Sequence, residues 1–240
     1  MSIEIVPLAE ADIAGVVDCV QKTFADDPFF RWAFDANKFK VERNAASMAA
    51  HLRFSLNCGY PVFVAKVGRA ANEYKTDHEI RLVPGTIVGF SWWSPPEASA
   101  MPQTWSVWAQ EWLLSFRQLA FNIRFAGRGG LQVRRYWLWK KAQKETQDDI
   151  WTDPRGYYYC SLLGVSSQVR GMGVGRRLME TILQRADEEG ISCYLESSKG
   201  YPNIAIYEKM GFQVSKEIMC DDGGDVCKLY GMTRKPKTKA

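Results

Sequence analysis

The sequence predicts an α+β fold with one central mixed sheet. Strand-like and helix-like segments follow one another without strict βα alternation. A long β-rich apolar run, Tyr157 to Val165, leads through a glycine-rich turn into a strongly periodic helix from Met172 to Glu189. The 240 residues are 46% hydrophobic and 24% charged, enough for a full core in one domain, 1–240, with room for an elaboration.

Taken in order, Ile3 to Pro7 alternates and reads as a short strand. Glu10 to Phe24 places Ile13, Val16, Val17 and Val20 on one helical face, and Asp26-Asp27-Pro28 breaks that pattern. An aromatic stretch, Phe29 to Phe34, precedes a helix from Phe39 to Leu56. Tyr60 to Val67 reads as a strand, Gly68 to His78 as a polar loop or hairpin, and Thr86 to Trp93 as the next strand, ended by Ser94-Pro95-Pro96. The segment 98–152 reads as a helical, aromatic-rich insertion, two helices interrupted at Gly127 to Gly130. Trp105, Trp108 and Trp112 recur there at helical spacing, the pattern of a core-facing stripe. Ser192 to Glu196 reads as a strand, Pro202 to Met210 as a short helix stopped by Gly211, and Val214 to Met219 and Val226 to Met232 as closing strands.

The net charge of +4, without a long basic stripe beside it, is too small to imply a nucleic-acid partner. The run Arg234, Lys235, Lys237, Lys239 reads as a solvated basic tail, 234–240. Six cysteines without a C-x-x-C pair, and only two histidines, give no metal-ligand spacing, so no metal is expected. The N-terminus has no basic stretch leading into an apolar one, and no apolar run reaches about 18 residues. A cytoplasmic protein without a membrane span or membrane partner is the expectation.

Chemistry concentrates in Gln168-Val169-Arg170-Gly171-Met172-Gly173-Val174-Gly175, set between a strand and a helix. Glycines spaced by two let the backbone turn tightly and clear side chains from a ligand's path. The following helix aims its unpaired N–H groups and positive dipole end at that turn, an anion site suited to a pyrophosphate. Arg170, Arg176 and Arg177 oppose the dipole there, which stability alone disfavours by up to about 1 kcal/mol each and a bound polyanion favours. Solvated arginines are the competing reading. A P-loop is absent, since the four-residue gap and its Lys-Ser/Thr are missing; a dinucleotide fingerprint is disfavoured by the G-x-G-x-G spacing but stays open, because Glu196 lies where its acid belongs.

Gln168-x-x-Gly171-x-Gly173, preceded by Leu162-Leu163-Gly164-Val165, resembles the acetyl-CoA pyrophosphate motif of the GNAT N-acetyltransferase superfamily. Asn203 to Phe212, with an Asn and a Tyr on a short helix ending in Gly-Phe, resembles that family's second signature about 30 residues on. More faintly, Asp26-Asp27-Pro28 and Trp92-Trp93-Ser94-Pro95-Pro96 are similar to segments of the puromycin-acetyltransferase-like branch. The resemblance implies a mixed, mostly antiparallel sheet flanked by helices, whose strand ending near Val165 splays from Ser192 to Glu196. Pantetheine enters that gap as an added strand, against the backbone of Leu163, Gly164 and Val165. Gly171, Met172, Gly173, Val174, Gly175 and Arg176 then hold the pyrophosphate together with Gln168, with Arg170 and Arg176 toward the adenosine 3′-phosphate.

By the same resemblance Asn203 and Tyr207, four apart and so on one helical face, meet the cofactor thiol, with Tyr207 as the acid that protonates the leaving thiolate. Core packing with Phe212 is the competing reading of Tyr207. Direct attack by an amine on acetyl-CoA wants a base; Glu196 is the first candidate, Asp27 and Glu111 the weaker ones, and the Val165 N–H the expected oxyanion donor. The acceptor implied is a small-molecule amine, with a protein N-terminus or lysine, or a non-catalytic acyl-CoA-binding module, as alternatives. The insertion lines an acceptor pocket, serves as a lid or forms a homodimer surface.

Overall fold

The computed structural model describes residues 2–68, 74–75, 81–97 and 104–237. Parts of the polar stretch after Gly68, the start of the insertion (98–103) and the last three residues of the basic tail lie outside them. Nine strands and seven α-helices are described: β1 (Ile3–Pro7), α1 (Ile13–Thr23), α2 (Pro28–Ala33), α3 (Val41–Asn57), β2 (Val62–Val67), the two-residue strands β3 (Tyr74–Lys75) and β4 (Arg81–Leu82), β5 (Ile87–Ser94), α4 (Trp105–Arg124), α5 (Val133–Ile150), β6 (Tyr158–Val165), α6 (Val174–Glu189), β7 (Cys193–Ser197), α7 (Asn203–Glu208), β8 (Gln213–Asp222) and β9 (Asp225–Arg234).

Seven strands form one sheet in the order β1-β2-β5-β6-β7-β9-β8, with β3 and β4 paired apart. Every neighbouring pair in that sheet is antiparallel except β6–β7, which is parallel. The α+β, mostly antiparallel architecture expected from the sequence is therefore the one observed.

The sheet is covered on both faces because its central strands are apolar on both. Val16, Val17 and Val20 of α1, with Leu52 of α3, pack on Val62 and Val64 of β2 and Phe90 and Trp92 of β5. On the opposite face Val174 and Leu178 of α6 meet Ile3, Ala65, Val67 and Val88. Further along α6, Met179, Ile182, Leu183 and Ala186 cover Cys160, Cys193 and Leu195. Burying a side chain of this size contributes about 1.5–3 kcal/mol, so these clusters fix where the β6–β7 junction sits.

Three sequence expectations change. Phe29 to Phe34 is not merely an aromatic run: Pro28 at the first helical position and Asp27 at the cap, accepting from the Phe29 and Phe30 amides, start helix α2. Arg234 does not belong to a solvated tail; it ends β9 at 3% exposure, bidentate to Asp187 at 2.8 and 2.7 Å, and its Nε donates to the Met210 carbonyl. The stripe Trp105, Trp108, Trp112 is not core: these side chains are 75%, 42% and 51% exposed. Helical periodicity reports that one face is apolar, not which face meets the protein.

Candidate active site

The parallel pairing of β6 with β7 lasts three residues, Tyr158↔Cys193, Tyr159↔Tyr194 and Cys160↔Leu195. A bulge ends it. Trp93 stands opposite Cys160 and Trp92 opposite Leu162, leaving Ser161 as an extra, unpaired residue of the kind that bends a strand. β7 meanwhile stays with β9 through Ser197↔Tyr230. Beyond Cys160 the two strands diverge into a V.

The Ser166 N–H donates to the Val88 carbonyl at 2.8 Å. Alternation of the antiparallel ladder then turns the N–H and C=O of Val165 and Leu163 away from β5, into the V, and those of Gly164 toward Phe90. Gly164 was expected to offer its backbone to the gap. Its requirement is steric instead: a Cβ there would come within 2.5 Å of the Phe90 ring.

At the open end of the V, Ser166 caps a 3-10 turn, Ser167–Val169, and the buried Val169 and Val174 anchor the glycine loop from below. Gly171 (φ +80°) and Gly173 (φ +71°) are left-handed, and a Cβ on either would meet nothing within 4 Å. They are glycine for backbone reasons, and the space before them is open. Gly173 caps α6 without any side chain, so the first N–H groups of that sixteen-residue helix stay unfilled. Arg170, Met172 and Arg176 are exposed around the loop, Arg176 held 2.7 Å from Glu180, and the Gln168 amide oxygen lies 3.4 Å from the Ser166 hydroxyl. Arg177 is not available here; it donates to the Ile3 carbonyl at 2.9 Å.

Past β7, α7 carries Asn203 and Tyr207, both half-buried. Tyr207 packs edge-on to Phe212 at 6.1 Å, and burial pushes its phenol well above the ordinary value, with Cys160 and Asp27 adding to the rise. Burial pushes the Cys160 thiol up as well. The Trp93 indole N–H, in the same packed cluster, is buried without a partner.

Glu196 is the first β7 residue beyond the paired stretch, and strand alternation turns it to the face opposite Leu195, under α5. Its carboxylate accepts from Tyr194 OH (2.9 Å), Gln143 Nε2 (3.0 and 3.1 Å) and Trp139 Nε1 (3.2 Å). Burial raises its pKa; those three donors and the nearby Lys140 pull the other way without cancelling the rise. Tyr157, Tyr159 and Tyr194 stand around it as an aromatic wall, with ring centroids 5.6 and 5.7 Å apart.

Asp27 lies close enough to Tyr207 to bear on it, whereas Glu111 sits on α4 beside Cys58 and Tyr60. Trp139, Gln143 and Trp93 were not singled out as site residues in the sequence. Trp139 and Gln143 are four apart and share one face of α5, but no motif ties that helix to β7. Among the described residues no cluster of His, Cys, Asp and Glu could hold a metal ion.

Residues 124–212 match the family model of the acetyltransferase (GNAT) family. An uncharacterized N-acetyltransferase of Schizosaccharomyces pombe is 36% identical over 97 residues, covering 40% of this chain and 36% of that protein. The chain spans little more than a third of the length of the curated relatives it matches. Among solved structures, the polyamine N-acetyltransferase of Drosophila melanogaster, described as forming N-acetylagmatine, aligns over 98% of this chain and all of its own, at a TM-score of 0.60 and 15% identity. A structure described as histone acetyltransferase HPA2 and related acetyltransferase, from Corynebacterium glutamicum, aligns over 100% and 99%, at 0.57 and 21%. The match to the GNAT family model spans the splayed strand, the glycine loop and α7, and the fold of the whole chain is similar to that of these solved acetyltransferases.

Proposed function

We propose that the protein is an acetyl-CoA-dependent N-acetyltransferase that acetylates the amine of a small molecule by direct attack in a ternary complex. The observation that carries this reading is the three-residue β6–β7 pairing, which opens into a V running out to the bare, left-handed glycine loop. Leu163 and Val165 offer the pantetheine arm the edge that a further strand would use. Gly171, Gly173 and the first amides of α6 take the pyrophosphate, with Arg170 and Arg176 alongside.

Glu196 takes the proton of the incoming amine, and its raised pKa makes it a stronger base than an ordinary carboxylate. The C–N bond forms, the carbonyl oxygen gains charge beside the Val165 N–H, the C–S bond breaks, and Tyr207 gives its proton to the departing sulfur. A thiolate left in the surroundings that raise Cys160 is itself proton-hungry, so a raised phenol can still supply it. The proton on Glu196 returns through solvent to Tyr207.

A small acceptor is favoured because Trp139 and Gln143 of α5 close over Glu196 through hydrogen bonds to its carboxylate. A peptide acceptor is the second reading, since one structural neighbour is described as a histone acetyltransferase. Calorimetry with acetyl-CoA tests the proposal: micromolar binding by wild type, abolished in Gly173→Trp, supports it. A folded wild type that does not bind sinks it. Thiol release with a panel of amines, against the same panel of peptides, separates the two acceptors.

A further inference from the structure

Helix α4 docks through a mixed face, with Val107, Leu114 and Phe121 half-buried, and leaves its strongest apolar stripe outside. Three amide side chains on that face bond to α3: Gln118 and Asn122 accept from Arg43 at 3.3 and 2.7 Å, Gln118 accepts from Ser47 at 2.8 Å, and Gln110 accepts from Asn57 at 3.0 Å. Its apolar stripe faces out, with Trp105 at 75%, Trp108 at 42%, Trp112 at 51%, Phe116 at 61%, Leu119 at 56% and Ile123 at 74% exposure. The spacing 3, 4, 4, 3, 4 keeps all six within one narrow sector of a straight helix. No α4 residue is buried. The aromatic end is already ordered, Trp105 stacked on Trp108 at 4.5 Å and Trp112 6.0 Å further on.

An apolar stripe of this size is the mark of an interaction surface. Two features select its partner. Arg117 and Arg124, seven apart, lie along one edge of the stripe, and Arg128 follows the helix; none has a carboxylate partner among the described residues. Trp and Phe over a basic edge match the depth profile of a bilayer interface, where indole rings sit at headgroup level and guanidinium groups meet phosphate. A second copy fits worse. A twofold axis that pairs two α4 helices antiparallel sets like edges side by side, arginine against arginine. No described helix is long and apolar enough to cross a membrane, so α4 would lie along the surface.

We infer that α4 docks the protein on an anionic lipid surface, its tryptophan face in the headgroup region. This departs from the sequence expectation of no membrane partner, which rested on the lack of a spanning segment. The test is co-sedimentation of the full chain with phosphatidylcholine vesicles, with and without phosphatidylserine, alongside tryptophan emission. Binding to the phosphatidylserine vesicles with a blue shift, at least tenfold weaker on pure phosphatidylcholine, supports the inference. Trp105→Ser/Trp112→Ser should reduce that binding at least tenfold and Arg117→Glu/Arg124→Glu should remove the anionic preference, with melting temperature and acetyl-CoA binding unchanged in both. Absence of sedimentation with either vesicle overturns it. Dimerisation in sedimentation velocity, lost in the tryptophan variant without any vesicle binding, overturns it in favour of a second copy.

Discussion

The Ser198 hydroxyl donates to Asp27 Oδ2 at 2.5 Å, while Asp27 Oδ1 accepts the Phe29 and Phe30 amides at 3.0 and 3.3 Å. One buried carboxylate thus fastens the start of α2 to the loop leaving β7, beside Tyr207. Asp27→Ala removes the cap and the tie together, and a cap alone is worth about 1 kcal/mol. A loss of about 2 kcal/mol in urea unfolding is expected, with a raised KM for the acceptor and unchanged acetyl-CoA affinity. If acetyl-CoA affinity fell instead, Asp27 would belong to the cofactor side.

Tyr207→Phe keeps the ring contact with Phe212 and removes only the proton. General acid catalysis contributes about 10²–10⁴-fold, so kcat should fall at least tenfold while acetyl-CoA binding holds. A kcat within twofold of wild type would return Tyr207 to a packing role.

Glu196 supplies a pH signature. Its folded pKa is raised, by burial first, and in the proposed mechanism its ionised form is the base. Activity should therefore rise with pH through a midpoint above the ordinary glutamate range, and Glu196→Gln should erase that limb along with most of the rate. The stability sign is opposite: the contribution of this group is complete below its unfolded pKa and is lost as pH rises through the folded one. The Gln variant should flatten that dependence in thermal melts at stepped pH.

Asp187 runs the other way. Its pKa is lowered, chiefly by hydrogen bonds from Arg234, so its contribution is present above the unfolded value and is lost as pH falls through the folded one. Asp187→Asn leaves a 3%-exposed guanidinium unpaired. Stranding a buried charge costs about 3–5 kcal/mol; Asp187 is itself 23% exposed, so about 2 kcal/mol is expected near neutral pH and little in acid. An unchanged melting temperature at neutral pH would show that water already carries the arginine.

How much of this was readable beforehand follows from range. The glycine loop is local: three glycines, a strand before and a helix after mark the turn within a dozen residues, and the left-handed turn is where they put it. Tyr207 and Asn203 came from a family resemblance, and their helix is where it was expected. The wall around Glu196 is non-local. Trp139 and Gln143 reach it from 57 and 53 residues away, and nothing in their spacing says which strand α5 will cover. The error at α4 has a different cause. Periodicity marks an apolar face, and the assumption that such a face points inward fails when a mixed face finds Arg43, Ser47 and Asn57.

The brevity of the β6–β7 junction bears on cooperativity. Three residue pairs join a four-stranded block, β1-β2-β5-β6, to a three-stranded block, β7-β9-β8. Within the sheet each block is zipped by longer ladders than the one that joins them. A ligand that lies in the V as an extra strand bridges both, so its binding free energy becomes mechanical coupling between them. Saturation at a thousand times Kd adds about 4 kcal/mol to global stability, and the gain should be largest in amide exchange at the seam. The sheet is two plates with a short hinge, and on the proposed function the acyl donor is the rivet.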